Sequence, residues 1–214
     1  MQQLAQGLDG SLGSGSGREC TVKAHVLETA LHIFKLLLAN DDIAAHKLRI
    51  KEWDYYLIVS DCFALALTIA DNGYMGMDSI SFMWFEGAKG SNTQSRIEPF
   101  PMGKRNLPAS SAQGDVSISG KGWQMAFENN GKERRLYGHV DNFSKGKPLL
   151  FDVTLTDAPR DSMVIATPFP GNDKAFYYNQ KINCMKAEGR VEYEGEEYLF
   201  APAHSFAVLD WGRG

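Results

Sequence analysis

Cysteine is scarce in this sequence, and a secretory signal is absent. The three cysteines among 214 residues, Cys20, Cys62 and Cys184, lie far apart and show no Cys-x-x-Cys spacing. Because they are odd in number and scattered, they argue against a disulfide framework and against a zinc site. We therefore expect no metal, and a small buried side chain at each cysteine. No basic start, apolar middle and small-residue cleavage site follow Met1, so we expect a cytoplasmic protein.

Clusters of basic residues and long apolar runs are also rare. The formal net charge is −4, and Lys and Arg are scattered among Asp and Glu. Since nucleic acids and anionic membrane surfaces bind to clustered Lys and Arg, we expect neither of them as a partner. The most apolar region, residues 22–39, carries Lys, His and Glu residues, so it is too polar to span a bilayer.

The composition is that of a globular protein with one helix near its start. Hydrophobic residues make up 43% of the chain and aromatic residues 11%, which is enough for a substantial core. Gly and Ser are abundant in residues 1–20, and this predicts a flexible lead-in. Apolar residues then recur every three or four positions over residues 21–40, with Thr21 at the N-cap position. That pattern predicts a helix.

After residue 50 the pattern changes to the two-residue period of β-strands. Short runs rich in β-branched and aromatic residues alternate with turn signals such as residues 71–73 (Asp-Asn-Gly) and 129–131 (Asn-Asn-Gly). This spacing predicts an antiparallel barrel or sandwich, which together with the helix forms one domain over residues 21–214. Residues 62–67 have no polar face, so we expect that strand to be buried on both sides. The predicted strands cover residues 53–59, 62–70, 79–85, 95–100, 115–119, 123–128, 134–140, 149–156, 163–166, 176–182, 190–193, 198–200 and 206–209.

One predicted strand carries an unusual row of polar residues. Because strand side chains alternate, Tyr177, Asn179, Lys181 and Asn183 share one face. We predict these four as ligand-binding residues, since a hydroxyl, two amides and an amine together can orient a polar head group. An internal hydrogen-bond network that closes the barrel explains the same pattern equally well.

The second candidate segment is the final run, residues 209–214 (Leu-Asp-Trp-Gly-Arg-Gly). Asp210, Trp211 and Arg213 complete the predicted ligand-binding set. We expect Asp210 and Arg213 to pair across a glycine turn. Trp211 either stacks on a ligand or, in the interpretation we favour, plugs the floor of the barrel. We also predict that the polar face of residues 177–183 projects into the same space as Asp210 or Arg213, because buried polar groups need partners.

The sequence offers little material for catalysis, so we assign no catalytic residue and predict no cofactor. Asp71 would suit a general acid if it were buried. However, Asp-Asn-Gly is a common turn sequence, and we favour that role for Asp71. Ser162 lacks the Gly-x-Ser-x-Gly setting of a serine hydrolase.

Several segments together resemble a known family. The bacterial family called domain of unknown function 2804 has similar segments in the same order, which in this chain are residues 49–56 (RIKEWDYY), 68–74 (TIADNGY), 114–116 (GDV), 176–185 (FYYNQKINCM) and 209–214 (LDWGRG). The resemblance extends from about residue 47 to residue 214. Members of that family continue past the last of these segments. The resemblance therefore implies that a second, β-rich half follows residue 214 and acts as a partner of this domain.

That family is distantly similar to the lipocalin-like, or calycin-type, barrel proteins that include carotenoid hydratases and tocopherol cyclases. The similarity implies an all-β, lipocalin-like antiparallel barrel or sandwich with one N-terminal helix. The function that it implies is a module binding an apolar or amphipathic small molecule. The alternative is a hydratase- or cyclase-like enzyme acting on an isoprenoid or lipid double bond. A similarity at the level of fold assigns no catalytic residue.

Overall fold

The structure, a computed structural model, describes residues 45–87 and 89–214. The predicted lead-in over residues 1–20 and the predicted helix over residues 21–40 lie outside the described residues. Within them the chain forms twelve strands and no helix, which confirms the all-β prediction for this part. The strands are β1 (Glu52–Val59), β2 (Phe63–Asp71), β3 (Met75–Trp84), β4 (Ser91–Pro99), β5 (Val116–Gly120), β6 (Trp123–Asn129), β7 (Arg134–Ser144), β8 (Lys147–Thr156), β9 (Met163–Phe169), β10 (Asn172–Tyr193), β11 (Glu196–Phe200) and β12 (Phe206–Arg213).

All twelve strands belong to one antiparallel sheet. Its order is β4-β3-β2-β1-β12-β10-β8-β7-β6-β5, and β9 and β11 also pair with β10. The sheet curls until Arg96 of β4 lies against Gly120 of β5, with its guanidinium 5.7 Å from the centre of the Trp123 ring on β6. The fold is therefore a half-barrel made from a single curled sheet, and the alternative prediction of a two-sheet sandwich is wrong.

Buried and more exposed residues alternate along most strands, and the buried ones form the core on the inner face of the curled sheet. In β1 every second residue is buried, and the Tyr56 ring meets the Phe127 ring of β6 edge-on at a centroid distance of 5.0 Å. Burying a large apolar side chain stabilises the folded state by about 1.5–3 kcal/mol. The largest fully buried side chains fill this interior, and they are Tyr56, Tyr193, Phe82, Phe127, Ile58, Leu65, Leu67, Ile69, Ile80, Met125 and Leu136.

Strand β2 is buried along nearly its whole length, as its lack of a polar face predicts. Strand β10 differs from the prediction, because it joins two predicted strands into one of 22 residues. A bulge between Ile182 and Met185 shifts the register against β12, and Cys184 adopts a positive φ of 61° within it. The first half of β10 pairs with β9, and its second half pairs with β8 and β11.

The expectation of buried cysteines is wrong at both described positions. Cys62 precedes β2 in the turn from β1, and Cys184 lies in the β10 bulge, so both thiols are exposed. Cys20 lies outside the described residues. Among the residues that the structure describes, no helix is long and apolar enough to cross a membrane.

A long connection between β4 and β5, residues 100–115, packs against the curled sheet. The Asp71 carboxylate accepts hydrogen bonds from the backbone N–H of Gly73 at 2.8 Å and of Gly103 at 2.9 Å. Asp71 thus has the turn role that we favoured, and it also fixes the start of this connection. Farther along, Arg105 forms a buried ion pair with Asp78 of β3.

Candidate functional site

Three neighbouring strands bring four of the seven predicted site residues together on the outer face of the sheet. In the register of β12, Gly212 lies opposite both Trp53 of β1 and Asn179 of β10, and Asp210 lies opposite Lys181. Because alternate residues of a strand point to one face, these side chains share the outer face. We call Trp53, Tyr177, Asn179, Lys181 and Asp210 the outer cluster.

The Asp210 carboxylate is the centre of the outer cluster. It accepts hydrogen bonds from Trp53 Nε1 at 3.2 Å, from Asn179 Nδ2 and from Lys181 Nζ. Partial burial acts to raise the pKa of Asp210, but the bonds from Lys181, Asn179 and Trp53 outweigh it and lower the pKa overall. Asp210 is therefore ionised at neutral pH and forms a charge-assisted pair with Lys181.

Aromatic rings form the second part of the outer cluster. The Trp53 and Tyr177 rings stack with their centroids 5.6 Å apart and their planes 25° apart. A side chain at Gly212 would overlap the Trp53 ring, so glycine at this position lets the indole lie flat on the sheet. Asn179 is fully buried and donates a second hydrogen bond to the Trp211 carbonyl at 2.9 Å.

Trp211 and Arg213 point to the inner face, away from the outer cluster. Trp211 is buried and meets the Tyr178 ring edge-on at 6.0 Å, which places it in the core. Arg213 Nε donates a hydrogen bond of 2.6 Å to Glu52 Oε1. The expected pairing of Asp210 with Arg213 is wrong. Residues 206–213 form a strand rather than a turn, so positions three apart lie on opposite faces.

The structure thus divides the predicted set between two faces. Asn179 and Lys181 contact Asp210 directly, and Tyr177 lies beside them in its stack with Trp53. Asn183 is exposed in the β10 bulge. Whether any of these residues binds a ligand stays a prediction.

Sequence reasoning missed a group of ionisable residues on the inner face. Asp54 of β1 is only 5% exposed, and its Oδ1 atom has no hydrogen-bond partner. Burial raises the pKa of Asp54 to about 7, although Arg134 acts to lower it, and Glu52 adds to the rise. The signal was present, since Glu52 and Asp54 share a strand face with the core residues Tyr56 and Ile58.

Comparison with known proteins gives a family and two solved structures. Residues 32–214 match the family model described as Domain of unknown function (DUF2804). No curated protein matches the chain in sequence. The chain is similar to a candidate AttH from Nitrosomonas europaea, with 12% identity and a TM-score of 0.47, covering 77% of this chain and 51% of that chain. It is also similar to kievitone hydratase from Nectria haematococca, with 15% identity and a TM-score of 0.42, covering 76% of this chain and 47% of that one.

This chain therefore spans about half the length of the two solved structures. The family model is a stronger finding, because it covers most of the chain and includes β1 to β12. It also includes every residue of the outer cluster. The chain belongs to the DUF2804 family, the domain of unknown function that its sequence segments resemble.

Proposed function

We propose that this chain is a lipocalin-like module that binds an apolar or amphipathic small molecule, and that the outer cluster holds the polar end of that molecule. One observation carries the proposal. A half-buried ion pair, Lys181 with Asp210, lies next to a stacked pair of aromatic rings on the outer face of the curled sheet. Binding sites for small molecules combine such apolar surface with a few fixed polar groups.

Strand β9 extends this surface with apolar side chains. Met163 lies opposite Lys181 in the β9–β10 register, and Ile165 lies opposite Asn179. Met163 and Ile165 are 55% and 38% exposed. A hydrocarbon tail laid along β9 would cover both side chains and bring its head group to Lys181. Covering exposed apolar surface of this kind favours binding.

Lys181 is the residue that selects the head group. An ammonium group has three N–H donors, and in the structure it bonds Asp210 Oδ2. The remaining donors suit a carboxylate or hydroxyl head group at the partly exposed end of the pair. Asp210 fixes the position of the ammonium group, and Trp53 and Asn179 in turn fix the position of Asp210.

The test is a titration with a fluorescent polyene fatty acid, followed by its own emission and by quenching of tryptophan. We expect saturable binding that weakens about tenfold in Lys181→Met, since a hydrogen bond to a charged group contributes about 1.5–3 kcal/mol. The matched control is Lys186→Met, which removes an exposed lysine of the same strand that pairs with Asp157. Absence of saturable binding, or equal affinities for the two variants, would contradict the proposal.

The same titration separates the module from the alternative enzyme. A hydratase- or cyclase-like activity on an isoprenoid or lipid double bond would convert the bound polyene, which mass spectrometry detects as a gain of one water or as an isomer. For a binding module we expect the polyene to be recovered unchanged. Conversion that requires the intact chain would favour the enzyme.

A further inference from the structure

Strand β9 leaves one of its two edges unpaired. Its other edge pairs with β10 from Met163 to Phe169. Among the residues that the structure describes, no strand and no loop backbone forms hydrogen bonds with the unpaired edge, which we call the free edge. The N–H and C=O groups along such an edge form a template on which a further strand can pair. The free edge of β9 is therefore a candidate interaction surface.

The other edge strands of the described part carry features that oppose pairing. Strand β4 contains Arg96 and Glu98, β5 has only five residues, and β11 has five residues that include Glu196 and Glu197. Charged side chains and short length are common protections of an edge strand. Strand β9 has seven residues, Met-Val-Ile-Ala-Thr-Pro-Phe, and none of them is charged. Its proline removes only one N–H donor. Strand β9 is therefore less protected than the other edges.

The side chains of β9 indicate what kind of strand would pair there. The exposed apolar side chains are Met163, Val164, Ile165 and Phe169. Because strand side chains alternate, both faces of the strand carry some of them. An unrelated peptide is selected by charges or pockets that match its side chains, and β9 has no charged side chain for this purpose. A second apolar, uncharged strand covers the exposed surface without charge repulsion, and a second copy of this chain supplies one.

We propose that two copies of this chain associate by antiparallel pairing of their β9 strands about a two-fold axis at Ala166. Ala166 is the middle residue of the strand. A two-fold axis there places each β9 residue opposite the one equally far from the centre in the second copy. Met163 then lies opposite Phe169 of the second copy, and Ile165 lies opposite Thr167. A methionine sulfur beside an aromatic ring is a favourable contact.

The charges that precede β9 favour the antiparallel direction. Arg160 and Asp161 come just before the strand. In a parallel pair each of them would lie beside the same residue of the second copy, and like charges directly opposite are destabilising. In the antiparallel pair they lie at opposite ends of the contact. The pairing needs no ligand, so it does not depend on the function proposed for the outer cluster.

The first test is sedimentation velocity over protein concentrations from about 1 μM to about 1 mM, because a contact of one strand pair is small and its dimer weak. We expect a reversible monomer–dimer equilibrium that Ile165→Lys weakens about tenfold or more, since lysine opposes pairing at a strand edge. The matched control is Ile97→Lys, the same change at an exposed position of β4, and it should leave the equilibrium unchanged. A monomer at every concentration, or equal effects of the two variants, would overturn the proposal.

Amide hydrogen exchange locates the contact along the chain. The N–H groups of β9 that point to the free edge should exchange more slowly at about 1 mM than at about 10 μM wild-type protein, because pairing protects them. The exchange of β11, which also has an unpaired edge, should not change with concentration. Protection that develops elsewhere and not in β9 would place the dimer contact on another surface and overturn the proposal.

A pair of charges tests the position of the axis. In the double variant Ile165→Lys/Thr167→Glu, each ammonium group would lie opposite a carboxylate of the second copy. We expect this variant to dimerise about threefold more tightly than Ile165→Lys alone, since opposite charges across a strand pair attract. The control Ile165→Lys/Thr167→Lys sets like charges opposite and should not recover. Both positions are on an exposed edge strand, and circular dichroism checks that the variants fold. Equal dimerisation of the two double variants would overturn pairing about Ala166.

Discussion

Replacing Asp54 by asparagine should change how the stability of this protein depends on pH. The Asp54 carboxyl is buried, and its pKa rises from 3.8 to about 7 in the folded state. A carboxyl with a raised folded-state pKa binds its proton more tightly when folded than when unfolded. It therefore lowers stability as pH rises from about 4 towards 7, and the loss is complete above pH 7. The asparagine side chain of the variant has no proton to lose in this range, so the variant lacks this contribution.

The size of the effect follows from the two pKa values. At about 1.4 kcal/mol for each pKa unit, the difference between 3.8 and about 7 corresponds to about 4 kcal/mol. The free energy of unfolding of Asp54→Asn minus that of wild type should therefore increase by about 4 kcal/mol between pH 4 and pH 8, so that the variant gains stability relative to wild type. Taking the difference between the two proteins cancels the titration of the other carboxyl groups they share.

The assay is urea denaturation at unit steps of pH, followed by tryptophan fluorescence. Asp61→Asn is the matched control, because the Asp61 side chain is 75% exposed and its variant should run parallel to wild type. If the Asp54→Asn and wild-type curves are also parallel within about 1 kcal/mol, the carboxyl is not desolvated in solution. That result would refute both the raised pKa and the assignment of Asp54 to a dry interior.

The strands and turns of the described part were largely predictable, because both depend on local sequence. The connection between β7 and β8 is an example, since Lys145 and Gly146 adopt positive φ angles of 50° and 77°. Two successive positive φ angles form the tight hairpin turn that the Ser-Lys-Gly-Lys sequence indicates. The two-residue period likewise predicted a strand over residues 53–59, but it did not assign the face of β1 that packs inward.

Properties that depend on pairing between distant strands were not predictable. Strand β10 joins two predicted strands, and the bulge after Ile182 lies where its pairing changes from β9 to β8. The final segment reads as a turn because it contains two glycines. In the structure Gly212 is a strand residue whose missing side chain makes room for the Trp53 ring.

The candidate site, too, could be predicted from the sequence only where it depends on a single strand. Alternation places Asn179 and Lys181 on one face of a strand, and that part of the prediction needs no tertiary information. Asp210 lies opposite Lys181 because of the register between β10 and β12. The two residues are 29 positions apart, so this contact is not visible in the local sequence. Asp54 was missed because its burial depends on closure of the curl around it, although it shares a strand face with the core residues Tyr56 and Ile58.

Two double-variant experiments test packing on either side of the sheet. Gly212→Ala should lower the free energy of unfolding by about 1–3 kcal/mol, because the new methyl group overlaps the Trp53 ring. In a Trp53→Ala background the same change should cost almost nothing, and an equal cost there would contradict the overlap. Asp78→Leu should cost about 3–5 kcal/mol, since it leaves the buried Arg105 guanidinium with only the half-exposed Glu98 as a partner. Adding Arg105→Met should recover most of that loss, because an apolar pair of similar volume needs no compensating charge. Urea denaturation measures all of these variants, and losses that simply add in the double variant would show that Asp78 and Arg105 do not act as a pair.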